Sequence, residues 1–231
     1  METVLITGAN RGIGFELAKR YAAGGNRVLA CCREPEKAAQ LQALASAGKA
    51  VTIHGVHVAD GASVAAVAKE IGATPIDILI NNAGMPGPAF QKQSLADMDF
   101  EGWAETFAVN TMAPLRMLQA FRANLRAGTN ARAITITSQM GAIAWGTPVM
   151  YAYCSSKGAV NKVMKMASVE LANDGIAVVL VHPGFVRTDM GGKNADISVE
   201  ESAAGIMAVI AGASVANTGR FMKWNGEEHA W

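Results

Sequence analysis

The chain has 231 residues, 51% of them hydrophobic, and its 20 basic side chains nearly cancel its 19 acidic ones. That length supports one large domain with a substantial core. The even charge, with no basic tail and no block of like charges, argues against nucleic acid or an anionic membrane surface as a partner.

The opening residues, Met1 to Gly8, contain neither a basic stretch nor a long apolar run, and no stretch of about twenty apolar residues follows, so neither a signal peptide nor a membrane span is expected. Cys31, Cys32 and Cys154 are too few for a disulfide framework and lack zinc-site spacing. They read as small buried residues of a cytoplasmic protein, and no metal is expected.

Along the chain, short β-branched runs alternate with longer segments of helical period. Thr3–Thr7 reads as a strand, and Gly12–Ala23 as a helix stopped by Gly24 and Gly25. Arg27–Cys32 is a second strand, followed by a helix over residues 35–47; residues 51–58 and 63–71 repeat the unit, with Asp60 as the helix cap. Further strands are expected at 76–81, 133–137 and 176–181, with long helices at 99–126 and 154–173 and a last pair at Val199–Ala211 and 219–224. This alternation implies βαβ units, hence an α/β fold with a parallel sheet of about seven strands, doubly wound, with helices on both faces. No linker-like stretch interrupts it, so residues 1–231 are expected to form a single Rossmann-type domain.

The first strand runs into Gly8-Ala9-Asn10-Arg11-Gly12-Ile13-Gly14 and then into a helix. Glycines let a backbone turn without a side chain in the way, and a helix N-terminus offers free N–H groups and a positive dipole end, so this segment suits a pyrophosphate. Taken alone, the spacing also fits a tight strand-to-helix turn.

Tyr153 and Lys157 are four apart and share a helix face, where an ammonium favours the phenolate and would lower the tyrosine pKa. Tyr151 has Ser155, not lysine, four residues on. Ser138 follows an apolar strand at its carboxyl end, the edge where open α/β sheets bind ligands. Its hydroxyl can donate to a carbonyl oxygen and hold it against Tyr153.

The glycine loop, Asn81-Asn82-Ala83-Gly84, Tyr153 with Lys157, and Pro183-Gly184 form, in this order, a motif set that resembles the short-chain dehydrogenase/reductase family over essentially the whole chain. Asp189-Met190-Gly191-Gly192, Val199-Glu200-Glu201-Ser202 and the ending from Gly219 to Trp231 are most similar to the C-factor and sniffer-type carbonyl reductases. The resemblance implies a nicotinamide dinucleotide held by Gly8, Asn10, Arg11, Gly12, Ile13 and Gly14, by Asn81, Ala83 and Gly84, by Tyr153 and Lys157, and by Pro183, Gly184, Val186 and Thr188. It also implies that Asn110 positions a water linking Lys157 to solvent, and that the chain forms a homodimer or homotetramer through its two long helices.

An NAD-selective site usually has an acidic residue after the second strand. Here Arg33 stands there, with Arg11 in the loop, so the expected cofactor is NADP(H). His57 occupies the position where many family members place an adenine-contacting Asp, beside Val58. His182 reads as a strand-end residue rather than a base.

Residues 85–98, 139–151 and 187–198 are expected to line the substrate site. Met85, Phe90, Met140, Ile143, Trp145 and Met150 would make an apolar lining for a small carbonyl or alcohol. The expected activity is hydride transfer between NADP(H) and such a substrate. The alternative is a cofactor-binding signalling protein of the C-factor type with little turnover.

Overall fold

In the computed structural model, which describes every residue except Lys49, Thr147 and Pro148, seven parallel strands form one sheet in the order β3-β2-β1-β4-β5-β6-β7. The strands are β1 (Thr3–Thr7), β2 (Arg27–Cys32), β3 (Val51–Gly55), β4 (Ile78–Asn81), β5 (Arg132–Ile136), β6 (Ala177–His182) and β7 (Phe221–Lys223). The helices are α1 (Gly12–Ala23), α2 (Ala39–Ala47), α3 (Gly61–Ile71), α4 (Phe100–Phe107), α5 (Ala113–Ala127), α6 (Tyr151–Ala172) and α7 (Val199–Ala211).

Both faces of the sheet are buried, which is why the strands read as continuous apolar runs rather than alternating ones. Leu5, Leu29, Leu79 and Leu180 face a core completed by Phe121 and Leu125 of α5 and Met164 of α6. Val4, Ile6, Val28, Ile80 and Val181 face the opposite core, with Leu17 of α1 and Ile206 and Ile210 of α7.

The strand order reverses between β1 and β4, because the chain lays down β1 to β3 on one side and returns to put β4 on the other. The carboxyl ends of β1 and β4 therefore flank a crevice, the usual ligand position in such sheets.

Most expected elements stand where their patterns place them, and the differences have local causes. The run 51–58 ends as a strand at Gly55; Asp60 then caps α3 by accepting from the N–H groups of Ala62 (3.0 Å) and Ser63 (3.2 Å). The segment 35–47 divides into a 3-10 turn at Pro35–Lys37 and α2. The last strand narrows from 219–224 to Phe221–Lys223, and α6 starts at Tyr151 rather than 154. The expected single helix at 99–126 is broken by a π-helical turn at Ala108–Met112. Pro114 explains part of the break: it has no N–H to give the carbonyl of Asn110, its partner four residues back in a regular helix.

Gly14 tests how tightly the β1–α1 junction is built. In an open helix, Gly→Ala stabilises by about 1 kcal/mol. Here a Cβ on Gly14 would lie 2.3 Å from the Gly8 carbonyl oxygen and 2.4 Å from Asn82 Nδ2. Gly14→Ala is expected to lower stability in urea unfolding, by about 1–3 kcal/mol; a gain would show that the junction is loose.

Candidate active site

The glycine loop takes its shape from contacts between the ends of β1 and β4. Gly8 (φ +66°) and Gly12 (φ +54°) adopt left-handed backbone that favours glycine. A Cβ on Gly8 would sit 3.0 Å from the Ala83 Cα. Thr7 Oγ1 accepts from the N–H groups of Asn82 (3.0 Å) and Ala83 (3.1 Å), and Asn82 Nδ2 donates to the carbonyls of Thr7 (3.0 Å) and Gly8 (3.2 Å). The side chain that braces the loop is thus that of Asn82.

Asn81 turns the other way. Its Nδ2 donates to the Pro114 carbonyl at 3.4 Å, and its buried Oδ1 has no protein partner, in a small recess shared with Val58 and Ala83.

Arg11 caps α1 from extended backbone and reaches across the mouth of the crevice to Asp189, Nη1 to Oδ2 at 3.0 Å. Beneath this exposed pair, a Cβ on Gly12 would lie 3.4 Å from the Thr188 methyl, so the loop after β1 and the loop after β6 face one another. Arg33 is exposed just past β2, while Glu34 is engaged by Lys37. The His57 side chain is exposed, and its main-chain N–H donates to Ser63 Oγ at 2.9 Å.

The crevice fits a dinucleotide. Glycines line the approach to the α1 N-terminus, two exposed guanidiniums flank it, and an orphaned amide oxygen lies beside the β4 end.

Ser138 follows β5 at its carboxyl end, and its Oγ accepts from the Met140 N–H at 3.2 Å. The turn Gln139–Gly141 then packs directly on α6: a Cβ on Gly141 would lie 2.6 Å from the main-chain carbon of Lys157. Asn161 ties the two together, accepting from Thr137 Oγ1 at 2.6 Å and donating to the Gly141 carbonyl at 3.3 Å. This contact brings Ser138, Tyr153 and Lys157 into one cluster.

Burial pushes the Tyr153 phenol up to about 12, against a smaller downward pull from the Ser138 hydroxyl. Burial also pushes the Lys157 ammonium down to about 8. Lys157 Nζ donates to the Ile136 carbonyl at 3.0 Å and stands 5.8 Å from the centre of the Tyr153 ring. The expected lowering of the tyrosine pKa by Lys157 is not what the protein alone displays: desolvation of the phenol dominates there and raises it.

Asn110 sits in the π turn. Its amide group is committed to protein: Nδ2 donates to the Met85 carbonyl (2.9 Å) and Ser156 Oγ (3.0 Å), and Oδ1 accepts from the Met85 N–H (2.9 Å).

After β6, Ser202 Oγ donates to the Pro183 carbonyl at 2.6 Å, and Gly184 (φ +89°) has no room for a Cβ, which would meet Ile197 at 2.5 Å. Thr188 Oγ1 accepts from the Gly191 N–H at 3.1 Å. Val186 is buried, and the N–H of Arg187 donates to the Ile197 carbonyl at 3.0 Å, closing this loop on itself. His182 is buried edge-on to His229, and burial holds its pKa down at about 4, which suits a neutral strand-end residue.

Of the expected substrate-facing residues, Met85, Met140 and Met150 are half-buried, while Phe90, Ile143 and Trp145 are exposed. Thr147 and Pro148, inside the expected segment 139–151, lie outside the described residues. Gln93, Ser156 and Asn161 were not singled out by the sequence, which shows them only as ordinary polar residues in a loop and a helix.

Among the described residues no group of three His, Cys, Asp or Glu side chains could hold a metal, and no helix is long and apolar enough to cross a membrane.

The sequence matches the family described as short chain dehydrogenase over residues 2–197. It is 39% identical over 167 residues to the C-signal of Myxococcus xanthus, covering 72% of this chain and 99% of that protein. Among solved structures, the NADPH-bound carbonyl reductase from chicken fatty liver superposes with a TM-score of 0.92 at 33% identity, over 100% of this chain and 99% of that one. The carbonyl reductase Sniffer of D. melanogaster superposes with a TM-score of 0.93 at 28% identity, over 100% of both chains.

The buried ammonium makes a stability prediction. Folded Lys157 loses its proton near 8, whereas the unfolded chain keeps it to about 10.5, so the unfolded state binds more protons across that window and stability rises with pH through it. Lys157→Met, measured without cofactor, is expected to resist urea better than the parent protein at pH 7, with the gap closing by about pH 10. A gap independent of pH would contradict the burial of a charged lysine.

Proposed function

The chain belongs to the short chain dehydrogenase family, and from that premise we propose that it is an NADP(H)-dependent oxidoreductase acting on a small carbonyl or alcohol. The observation that carries this reading is the cluster itself: Tyr153 and Lys157, one turn apart on α6, lie against the turn that bears Ser138, at the sheet edge next to the glycine loop. The NADPH carried by the chicken structure and the two exposed guanidiniums Arg11 and Arg33 support the choice of cofactor.

In this reading Gly8, Asn10, Gly12, Ile13 and Gly14 cradle the pyrophosphate, and Arg11 and Arg33 take the 2′-phosphate. His57, Val58, Asn81 and Ala83 border the adenosine half, with the free Asn81 Oδ1 able to accept a hydrogen bond there, and Gly84 lies nearer the Lys157 end. Pro183, Gly184, Val186 and Thr188 wrap the far end. When bound, the reduced nicotinamide supplies the hydride.

The chain's own residues handle the proton. Ser138 donates to the substrate oxygen and holds it against Tyr153. Tyr153, kept protonated by its burial, gives its proton to that oxygen. Lys157 has one bond to Ile136, which leaves ammonium donors for ribose hydroxyls, and its charge steadies the phenolate left behind. Asn110 serves the proton route from Lys157 to solvent: Pro114 deprives its carbonyl of a regular helical donor, leaving it able to hold a water.

The domain is one unit, with the substrate bordered by residues 85–98, 139–151 and 187–198. Exposed Phe100, Met112, Met166 and Val169 on α4 to α6 and the intervening turn support assembly of two or four copies through these helices.

The likeness to C-signal favours a second reading, a cofactor-bound signalling protein with little turnover. A panel of aldehydes, ketones and quinones with NADPH separates the two, since silence across the panel with tight NADPH binding favours the signalling protein.

Tyr153→Phe is expected to cut turnover by about 10²–10⁴ while NADPH still binds; retained turnover would refute the scheme. Arg33→Asp is expected to weaken NADPH about tenfold or more, as loss of a charge-assisted phosphate contact should, and to leave NADH nearly unchanged. Equal effects on both dinucleotides would refute the 2′-phosphate assignment.

A further inference from the structure

Gln93 lies in the loop between β4 and α4, where a polar side chain ordinarily faces solvent, yet it is only 1% exposed. Its amide nitrogen donates to the carbonyls of Pro86 (3.0 Å) and Pro88 (2.7 Å). Its amide oxygen accepts from the N–H of Tyr153 at 3.2 Å, and its main-chain carbonyl accepts from the N–H of Tyr151 at 3.3 Å.

The first N–H groups of any helix lack partners within the helix. α6 follows Met150, whose side chain makes no capping bond, so one residue from a different segment satisfies two of these donors. The seat is closely fitted: a Cβ on Gly87 (φ +88°) would lie 3.1 Å from Gln93 Oε1 and from Thr106 Oγ1.

The same tyrosine is fastened from its other side. Ser156 Oγ donates to the Tyr153 carbonyl at 2.7 Å and accepts from Asn110 Nδ2 at 3.0 Å, while Asn110 grips both main-chain groups of Met85. The N–H and the C=O of Tyr153 are thus both tied to the loop that begins at Met85, one through Gln93 and the other through Ser156 and Asn110.

Resting on the assignment of Tyr153 as the proton donor, we propose that Gln93 is a positioning residue that sets where Tyr153 stands relative to the substrate-bordering loop 85–98. Gln93 itself touches no reacting atom. Its two bonds to the proline carbonyls shape the loop, and its bond to the Tyr153 N–H registers that shape against the acid. A substrate carbonyl resting on Met85 then meets the phenol at a distance fixed by one buried amide. Proton transfer is steeply sensitive to such placement, since a displacement of about 1 Å can cost about 10² in rate.

Two variants test this, assayed with NADPH and the carbonyl of the aldehyde, ketone and quinone panel that is reduced fastest. Gln93→Met keeps the length and removes all three amide bonds. Gln93→Glu keeps an acceptor for the Tyr153 N–H and gives up at least one donor to the proline carbonyls.

Gln93→Met is expected to lower kcat about tenfold or more, with the NADPH dissociation constant, read by fluorescence titration, within about twofold of the parent. Gln93→Glu is expected to recover most of kcat and to show a raised KM. Full kcat in Gln93→Met, an equal loss of kcat in both variants, or NADPH affinity falling in step with kcat would each overturn the proposal. If Gln93→Met does not fold, Gln93→Glu decides alone: retained kcat with raised KM supports the role, and lost kcat with unchanged KM overturns it.

Tyr153→Phe measured alongside separates the two layers. Full turnover there removes the acid assignment and the positioning role with it. An inert Tyr153→Phe beside a fully active Gln93→Met removes the positioning role alone.

Discussion

The site depends on an ammonium held away from water. Lys157 is buried with the Ile136 carbonyl as its partner, and its surroundings are built around that fact. Two elements close on its helix, and glycines at the contacts leave room for them. Gly141 lets the turn after Ser138 rest on the lysine backbone, and Gly84 lets the loop after β4 pass 3.6 Å from its Nζ at the Cβ position. Gly158, the residue after it, faces the Gly141 carbonyl. Burying a charge in this way lowers stability, so the arrangement is one in which the fold gives up free energy at the proposed reactive centre. The large apolar cores on both faces of the sheet, with Phe121, Met164, Leu17 and Ile206 fully enclosed, supply the surplus.

The phenol and the ammonium respond to burial in opposite directions, and both are driven toward their neutral forms. In the proposed reduction a neutral phenol is the form that can donate. The charge appears only as the proton leaves, and at that point Lys157 and the Ser138 hydroxyl are already in place around it. Preorganisation of this kind requires that the three side chains keep their places. That explains why the polar residues nearby, Asn161, Ser156, Asn110 and Gln93, are buried and spend their hydrogen bonds on main-chain groups, on one another and, for Asn161, on the Thr137 hydroxyl.

Much of this was legible in the sequence wherever a feature is local. The glycine loop, the Asp60 cap, the Tyr-x-x-x-Lys spacing and the apolar strands are each set within a few residues, and periodicity or turn chemistry reveals them. Features set by distant segments were not. Nothing near Gln93 marks it as buried, because its partners Pro86, Pro88 and Tyr153 meet it only once the β4–α4 loop folds onto α6. The break at Ala108–Met112 hides in a continuous helical pattern, with Pro114 as its one local trace. In Asn81-Asn82 adjacent residues point to opposite sides of the strand end, so the identical side chains take different tasks and Asn82 braces the loop. The pairing of Arg11 with Asp189 joins residues 178 apart, and it forms only because the loops after β1 and β6 meet across the crevice.

In the proposed reaction this site moves a hydride to a carbonyl carbon. That transfer is tested most directly by incubating the protein with NADPH deuterated at the transferable C4 position and the fastest-reduced carbonyl, and then locating the label by mass spectrometry. The expected product is an alcohol carrying one deuterium on the former carbonyl carbon, formed only when the protein is present. Product without the label, or no product from any carbonyl despite tight NADPH binding, would contradict the proposed reaction.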